Sequence, residues 1–267
     1  MGIKKEAPLG VFDSGVGGLT VVLEMLRQMP HESYIYYADT AHVPYGPRNP
    51  QELRGFAFNI TAFLAAQGCK MIILACNTST SLAYEDLRAG YDIPMIGVIE
   101  PGVDKALEAT RNKRIGVIGT AATINSGSYQ KMIKEKKPEV EVVAVACPLF
   151  VPLIEAGEVE GDEVYRVAAA YLKPVREKEI DTLILGCTHY PFLLPVITDI
   201  IGPDITAVDP ARETVRRAVE KLKELDLIRE EGDPVRKFYA SGDPEAFRRL
   251  GSRFLQRDIG AVTKMSL

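Results

Sequence analysis

Short apolar runs alternate with helix-length amphipathic stretches along nearly the whole chain. Gly10-Val11-Phe12 ends one run and breaks into Asp13-Ser14-Gly15-Val16-Gly17-Gly18. A helical pattern follows over 19–29 and is closed by Pro30. Positions 34–37 read as a strand, and a polar turn runs from there through Asp39 and Pro44-Tyr45-Gly46-Pro47. A second helix is predicted over about 50–66, and 71–75 reads as a buried strand. This βα alternation predicts an α/β fold, with mostly parallel sheets flanked by helices.

The pattern also repeats. Ile73-Leu74-Ala75-Cys76-Asn77-Thr78 resembles Ile184-Leu185-Gly186-Cys187-Thr188-His189, and Gly10-Val11-Phe12-Asp13-Ser14 resembles Gly116-Val117-Ile118-Gly119-Thr120. A looser pair joins Gly97-Val98-Ile99-Glu100-Pro101 to Thr206-Ala207-Val208-Asp209-Pro210. Three elements in the same order recur about 110 residues apart, the signature of a duplicated unit. Two pseudo-symmetric α/β lobes are therefore expected, each ending a strand in a cysteine. In open parallel sheets, ligands bind beyond the carboxyl ends of the strands. If the lobes face each other, Cys76 and Cys187 flank one ligand in the cleft between them.

Composition narrows the class. The chain has 267 residues, 46% hydrophobic and 25% charged, which is ordinary globular usage and argues against disorder. A formal net charge of −4 offers nucleic acid no basic footprint. The longest apolar run, 142–154, is interrupted by Pro148 and Pro152 and is too short to span a bilayer. The opening MGIKKEAPLG has no apolar signal core, and Glu6 stands where a myristoylation signal has Ser or Thr. A cytoplasmic protein without a membrane partner is expected. Of the four cysteines, Cys69 and Cys147 lie in apolar surroundings and read as small buried hydrophobes.

Cys76 and Cys187 are each followed by polar residues that can cap a helix, Asn77-Thr78 and Thr188-His189. Free N–H groups at a helix start hold anions and lower a thiol pKa from about 8.5 toward neutrality. Two tuned thiols on opposite faces of a small anion suit a two-base isomerisation, one thiolate removing a proton while the opposing thiol supplies another. Asp13 and Ser14, ahead of glycines that allow close backbone approach, are placed to hold an ammonium group or orient a thiol. The competing reading makes Asp13 an N-cap for the helix at Leu19, and makes Thr78 and Thr188 caps only. The glycine-rich turn lacks the G-x-G-x-x-G spacing and the lysine of a P-loop. Cys-x-His is poor spacing for zinc, so no metal is expected and His189 reads as an acid-base or thiol-orienting group. His31 and His42 are assigned to the surface.

GVFDSGVGGLTV, YADTAHVPYGPR, ILACNTST, GVIEPG, GVIGTAATI, ACPLFVPLIEAG and LILGCTHYP stand here in one order. Together they resemble the bacterial glutamate racemases, over residues 9 to about 255. The resemblance implies a cofactor-independent enzyme that interconverts L- and D-glutamate for peptidoglycan synthesis. It makes Cys76 and Cys187 the acid/base pair and assigns substrate contacts to Asp13, Ser14, Tyr45, Gly46, Asn77, Thr78, Thr188 and His189. Thr120 and Glu155 are secondary candidates, Thr120 for binding and Glu155 for catalysis. It also implies that the chain returns to the first lobe, giving 1–99 with 210–267 as one lobe and 100–209 as the other. Ser79 departs from the family, which often has Ala there.

Without a cofactor ring to take up carbanion charge, aimed donors must stabilise it, and Asn77, Thr78 and Thr188 are the candidates on the α-carboxylate. Pro44-Tyr45-Gly46 and Thr120 are expected to receive the distal carboxylate, and the two lobes to close over the substrate. Aspartate racemisation, a non-catalytic dicarboxylate receptor and a thiol redox enzyme are the alternatives. Oligomeric state stays open, an exposed apolar helix face being what a homodimer would need.

Overall fold

The computed structural model describes residues 4–267, so the first three positions of the N-terminal stretch lie outside it. Ten strands alternate with helices: β1 (Leu9–Asp13), β2 (Tyr34–Ala38), β3 (Met71–Leu74), β4 (Met95–Gly97), β5 (Arg114–Gly119), β6 (Glu141–Ala146), β7 (Thr182–Gly186), β8 (Thr206–Val208), β9 (Arg236–Ala240) and β10 (Val262–Lys264). They form a six-stranded sheet, β10-β9-β2-β1-β3-β4, and a four-stranded sheet, β6-β5-β7-β8. Every pairing among the described residues is parallel. The α/β expectation is met.

The duplication read from three motifs is a duplication of topology. The order β2-β1-β3-β4 in one sheet is the order β6-β5-β7-β8 in the other. The motif pairs fall on β1 and β5, β3 and β7, and β4 and β8. The fourth pair, Tyr34-Ile35-Tyr36-Tyr37-Ala38 and Glu141-Val142-Val143-Ala144-Val145-Ala146, shares a position without visible sequence likeness. β9 and β10 then extend the first sheet beyond β2.

Central strands are buried on both faces, which is why they read as continuous apolar runs. Alternate residues divide between two cores in the first sheet. Leu9, Val11, Tyr36, Met71 and Ile73 pack on one side, and Phe12, Ile35, Tyr37, Ile72 and Leu74 on the other. Likewise Ile115, Val117 and Ile184 oppose Ile118, Leu183 and Leu185 in the second sheet. Cys69 packs where Gly10 lacks a side chain, and Cys147 is buried beside Phe150, so both behave as the small hydrophobes expected.

Helix boundaries follow local chemistry. Asn49 accepts the N–H of Gln51 ahead of helix Pro50–Ala66, with proline at the first turn. Helix Leu19–Gln28 ends one residue earlier than the pattern suggested, Met29 serving as its C-cap. Helix Ile99–Ala109 sends Ile99, Val103 and Ala106 into the core of the four-stranded sheet. Helix Pro210–Glu224 sends Ala211, Val215, Ala218 and Leu222 into that of the six-stranded one. Among the described residues, no helix is long and apolar enough to cross a membrane.

Candidate active site

In each sheet the chain leaves the two central strands in opposite directions, and such a switch point opens a crevice at the carboxyl ends. β1 and β3 end at Asp13 and just before Cys76; β5 and β7 end just before Thr120 and Cys187. The two crevices face each other across one small cavity, too tight for an amino acid, lined by Ser14, Tyr45, Cys76, Asn77, Thr78, Thr120, Val151, Cys187, Thr188 and His189. All but Val151 are residues expected from the sequence. The lobes are closed, and a ligand of amino-acid size needs them to part.

Cys76 is the N-cap of helix Asn77–Gly90, its sulfur accepting the N–H of Ser79 at 3.5 Å. The helix start was expected to lower this thiol. Instead, burial pushes Cys76 up to about 12, with the nearby Asp13 charge adding to the rise. Desolvation of the charged form outweighs one long N–H contact. Cys76 is therefore held as the thiol in the closed state.

Asp13 is not the N-cap of helix Leu19–Gln28, a place taken by Gly18 with no side-chain cap; it ties the glycine turn ahead of that helix instead. Its Oδ2 accepts the N–H groups of Gly15 and Gly18, at 3.2 and 2.9 Å, and Oδ1 accepts the Thr188 hydroxyl at 3.2 Å. Burial raises its pKa, against the pull of the His189 charge and both backbone donors. The glycines of this turn are required by what crosses from the other lobe. A Cβ on Gly17 would stand 2.3 Å from His189 Nδ1, and one on Gly15 would stand 2.1 Å from Glu155 Oε1.

The other thiol has a different neighbour. His189 Nδ1 lies 3.7 Å from Cys187 Sγ, and Nε2 lies 2.7 Å from Glu155 Oε1, which also accepts the Val16 N–H at 3.1 Å. Burial lowers the imidazole's affinity for a proton. The hydrogen bonds to Cys187 and Glu155 more than offset it, so the pKa stands well above the ordinary 6.5. Cys187, His189 and Glu155 thus form a line in which an imidazolium donates to sulfur on one side and carboxylate on the other. After Cys187 comes a short 3-10 turn, Tyr190–Leu193, without a side-chain cap. Neither threonine is a simple cap, since Thr188 donates to Asp13 and Thr78 bonds across the cleft.

Donors gather on the remaining wall. The hydroxyls of Thr78, Thr120 and Thr123 form a triangle with sides of 2.9, 3.2 and 3.0 Å. Asn77 Oδ1 accepts the Tyr129 hydroxyl at 2.6 Å, while its buried Nδ2 has no protein partner. Tyr45 lines the cavity, but its hydroxyl donates to Asp39 Oδ2 at 2.5 Å, so the phenol proton is not offered to a distal carboxylate as expected. Gly46 approaches Thr120, where a Cβ would lie 3.3 Å from the threonine's own Cβ. Among the described residues no group of three or more His, Cys, Asp or Glu side chains is arranged to hold a metal ion.

The family model for Asp/Glu/hydantoin racemases matches residues 13–218, a span that includes Asp13 and both Cys76 and Cys187. The chain belongs to this racemase family. It is 46% identical to the glutamate racemase of Corynebacterium diphtheriae, over 98% of each chain. A glutamate racemase from Bacillus anthracis superposes with a TM-score of 0.95 at 36% identity, covering 98% of each chain. The glutamate racemase of Francisella tularensis, in complex with D-glutamate, gives 0.93 at 38% identity over 98% of each.

Several residues that shape the surroundings of this cavity carry no sequence signal of their own. Thr123, Tyr129 and Val151 lie on helices and read as packing. Tyr36, whose hydroxyl donates to the Gly15 carbonyl at 2.8 Å, reads as a strand aromatic. Asp39 was read only as part of a polar turn, yet it accepts from Tyr45, Ser241 and His42. His42 is partly exposed and stacks on Phe56, and His31 is exposed, so both lie away from the cavity as expected.

Proposed function

We propose that this racemase interconverts L- and D-glutamate by a two-base reaction without a cofactor, Cys76 and Cys187 acting on opposite faces of Cα. The observation that carries the reading is that both thiols border one cavity while their partners differ in charge. Asp13 stands by Cys76, and the His189 imidazolium by Cys187. The glutamate racemases of similar sequence and structure support the choice of substrate.

Starting as the thiolate beside the His189 imidazolium, the Cys187 sulfur takes the Cα proton. The Cα–H bond breaks, an S–H bond forms, and the electron pair spreads onto the α-carboxylate. The Cys76 thiol then delivers its proton to the other face, leaving the mirror-image centre, a Cys76 thiolate and a Cys187 thiol. The reverse reaction starts from that state, the Cys76 thiolate taking the Cα proton and the Cys187 thiol delivering its own to the other face. The Asn77 amide, whose nitrogen has no protein partner, is the donor for the charge that develops on the carboxylate, with the Thr78 hydroxyl beside it and the Thr188 hydroxyl held by Asp13. Glu155 holds His189, and Ser14, Thr120 and Gly46 complete the wall.

We also place the lobe boundaries at 99/100 and 209/210, each within one residue of the start of a helix that packs on the next lobe, Ile99–Ala109 on the four-stranded sheet and Pro210–Glu224 on the six-stranded one. The four free cysteines support a cytoplasmic location, where D-glutamate would serve peptidoglycan synthesis.

The test is proton NMR of L-glutamate with the reduced protein in D2O and no added cofactor. The Cα–H signal should disappear as D-glutamate forms. Exchange absent from folded, reduced protein refutes the assignment, and aspartate turned over faster than glutamate moves it to aspartate.

A further inference from the structure

Asn77 sits on the first lobe, directly after Cys76, yet the group that orients its amide belongs to the second. Tyr129, on helix Ser128–Lys136, is fully buried in the core beside Val117 and Ile184. Its ring occupies the space beside Gly186, where a Cβ would come within 3.2 Å of it, one residue before Cys187. From that root its hydroxyl reaches across to Asn77 Oδ1 at 2.6 Å. Asn77 is 2% exposed, and with its carbonyl engaged the amide nitrogen is the polar atom left unpartnered beside the cavity. An amide has two-fold ambiguity about its last torsion, and a phenol donating to the oxygen selects the rotamer that offers N–H groups elsewhere.

We propose that Tyr129 is a positioning residue, which aims the Asn77 amide N–H at the substrate carboxylate and can do so only when the two lobes are together. The inference rests on the reading of Asn77 as a carboxylate donor. Neighbouring contacts close along the same line: Thr78 bonds to Thr120 and Thr123, and the Ser128 hydroxyl donates to the Ser81 carbonyl at 3.2 Å. The first turn of the helix capped by Cys76 is therefore docked on the second lobe. Opening that seam releases the amide to rotate, so lobe closure and donor alignment are one event.

The experiment is a double-mutant cycle with Tyr129→Phe and Asn77→Ala, following glutamate racemisation from both enantiomers by circular dichroism. Phenylalanine keeps the ring against Gly186 and removes only the hydroxyl. Tyr129→Phe should lower kcat by roughly 10- to 100-fold, the cost of a misaligned group, while KM changes by less than about threefold. In the Asn77→Ala background the same change should cost less than about twofold, because Tyr129 then has no amide to aim. Wild-type kcat in Tyr129→Phe, or an undiminished loss in the Asn77→Ala background, overturns the proposal. Wild-type protein inactive on glutamate overturns the functional reading beneath it, a separate result. Should Tyr129→Phe not fold, Asn77→Asp carries the test: it keeps an acceptor for the phenol but offers no donor. It should lose as much kcat as Asn77→Ala, and near-wild-type turnover would overturn the proposal.

Discussion

Glu155→Gln isolates one charge in the site. The substitution is isosteric, and the amide oxygen can still accept from both the Val16 N–H and His189 Nε2, the contacts that Glu155 Oε1 makes at 3.1 and 2.7 Å. What is lost is the carboxylate's preference for an imidazolium. A hydrogen bond to a charged group contributes about 1.5–3 kcal/mol and a neutral one about 0.5–1.5, so the difference is about 1–1.5 kcal/mol. His189 should therefore titrate at lower pH in the variant than in the wild type. The His189 ring is 1% exposed and the Glu155 side chain 19%, so solvent screening trims that energy difference without cancelling it.

The direction has a consequence for stability as well. Burial opposes protonation of His189, but Cys187 and Glu155 raise its pKa well above 6.5. A histidine raised in the folded state contributes stability that is complete below its unfolded pKa and is lost as pH rises through the folded one. In Glu155→Gln both that contribution and the imidazolium should fade at lower pH than in the wild type. The chain has three histidines, two of them away from the cavity, so carbon-13 labelling of histidine leaves few resonances to assign. A titration of each variant by NMR, beside pH profiles of kcat/KM, reads the shift directly. An unmoved His189 resonance, or one already neutral at pH 7 in the wild type, would refute the view that Glu155 sustains an imidazolium beside Cys187.

Two further outcomes are expected. Cys76→Ala and Cys187→Ala should each lower racemisation by at least roughly 10³-fold, the scale of a lost general acid or base, with the fold retained. Each should still eliminate from one enantiomer of an analogue carrying a leaving group beside Cα, and the two variants should prefer opposite enantiomers; a shared preference would place both thiols on one face. Far from the cavity, Lys70 pairs with Glu32 at 2.6 Å, both side chains wholly buried, and also donates to the carbonyls of Lys5 and Leu227. Lys70→Met should cost about 3–5 kcal/mol by stranding Glu32, seen as a Tm lowered by about 6–20 °C with kcat unchanged.

The fold was legible because parallel strands buried on both faces must be apolar throughout, and runs such as Met71-Ile72-Ile73-Leu74 and Thr182-Leu183-Ile184-Leu185 announce themselves. The relation between β2 and β6 was not, because burial at a sheet position constrains hydrophobicity and leaves Tyr-rich and Val-rich solutions equally good. The cysteines and the polar residues after them were legible as strand-end residues repeated in both halves. Tyr129 and Thr123 were hidden because each acts across the cleft, and a contact between lobes leaves no periodicity in either. The reading of Cys76 failed for a related reason. A helix start is local and visible in the sequence, whereas the burial and the Asp13 charge that push the thiol up arise only on folding.

A reaction that converts one mirror image into the other favours a scaffold with two matching halves, and the two sheets share one strand order. Matching chemistry would defeat it, because two equivalent thiols titrate alike and the proposed exchange needs one protonated and one not. The duplicated motifs diverge where that difference has to be made. Asp13 has Gly119 as its counterpart, so only the Cys76 side gains a buried carboxylate. His189 has Thr78 as its counterpart, so only Cys187 gains an imidazolium, held in turn by Glu155. Thr78 meanwhile closes the seam with Thr120, and Thr188 closes the other with Asp13. The residues that break the symmetry of the thiols are thus joined, directly or through a neighbour, to those that bring the lobes together. Opening the cleft would separate Thr188 from Asp13 and Val16 from Glu155, so the asymmetry that the proposed exchange requires is built from contacts made only with the lobes together.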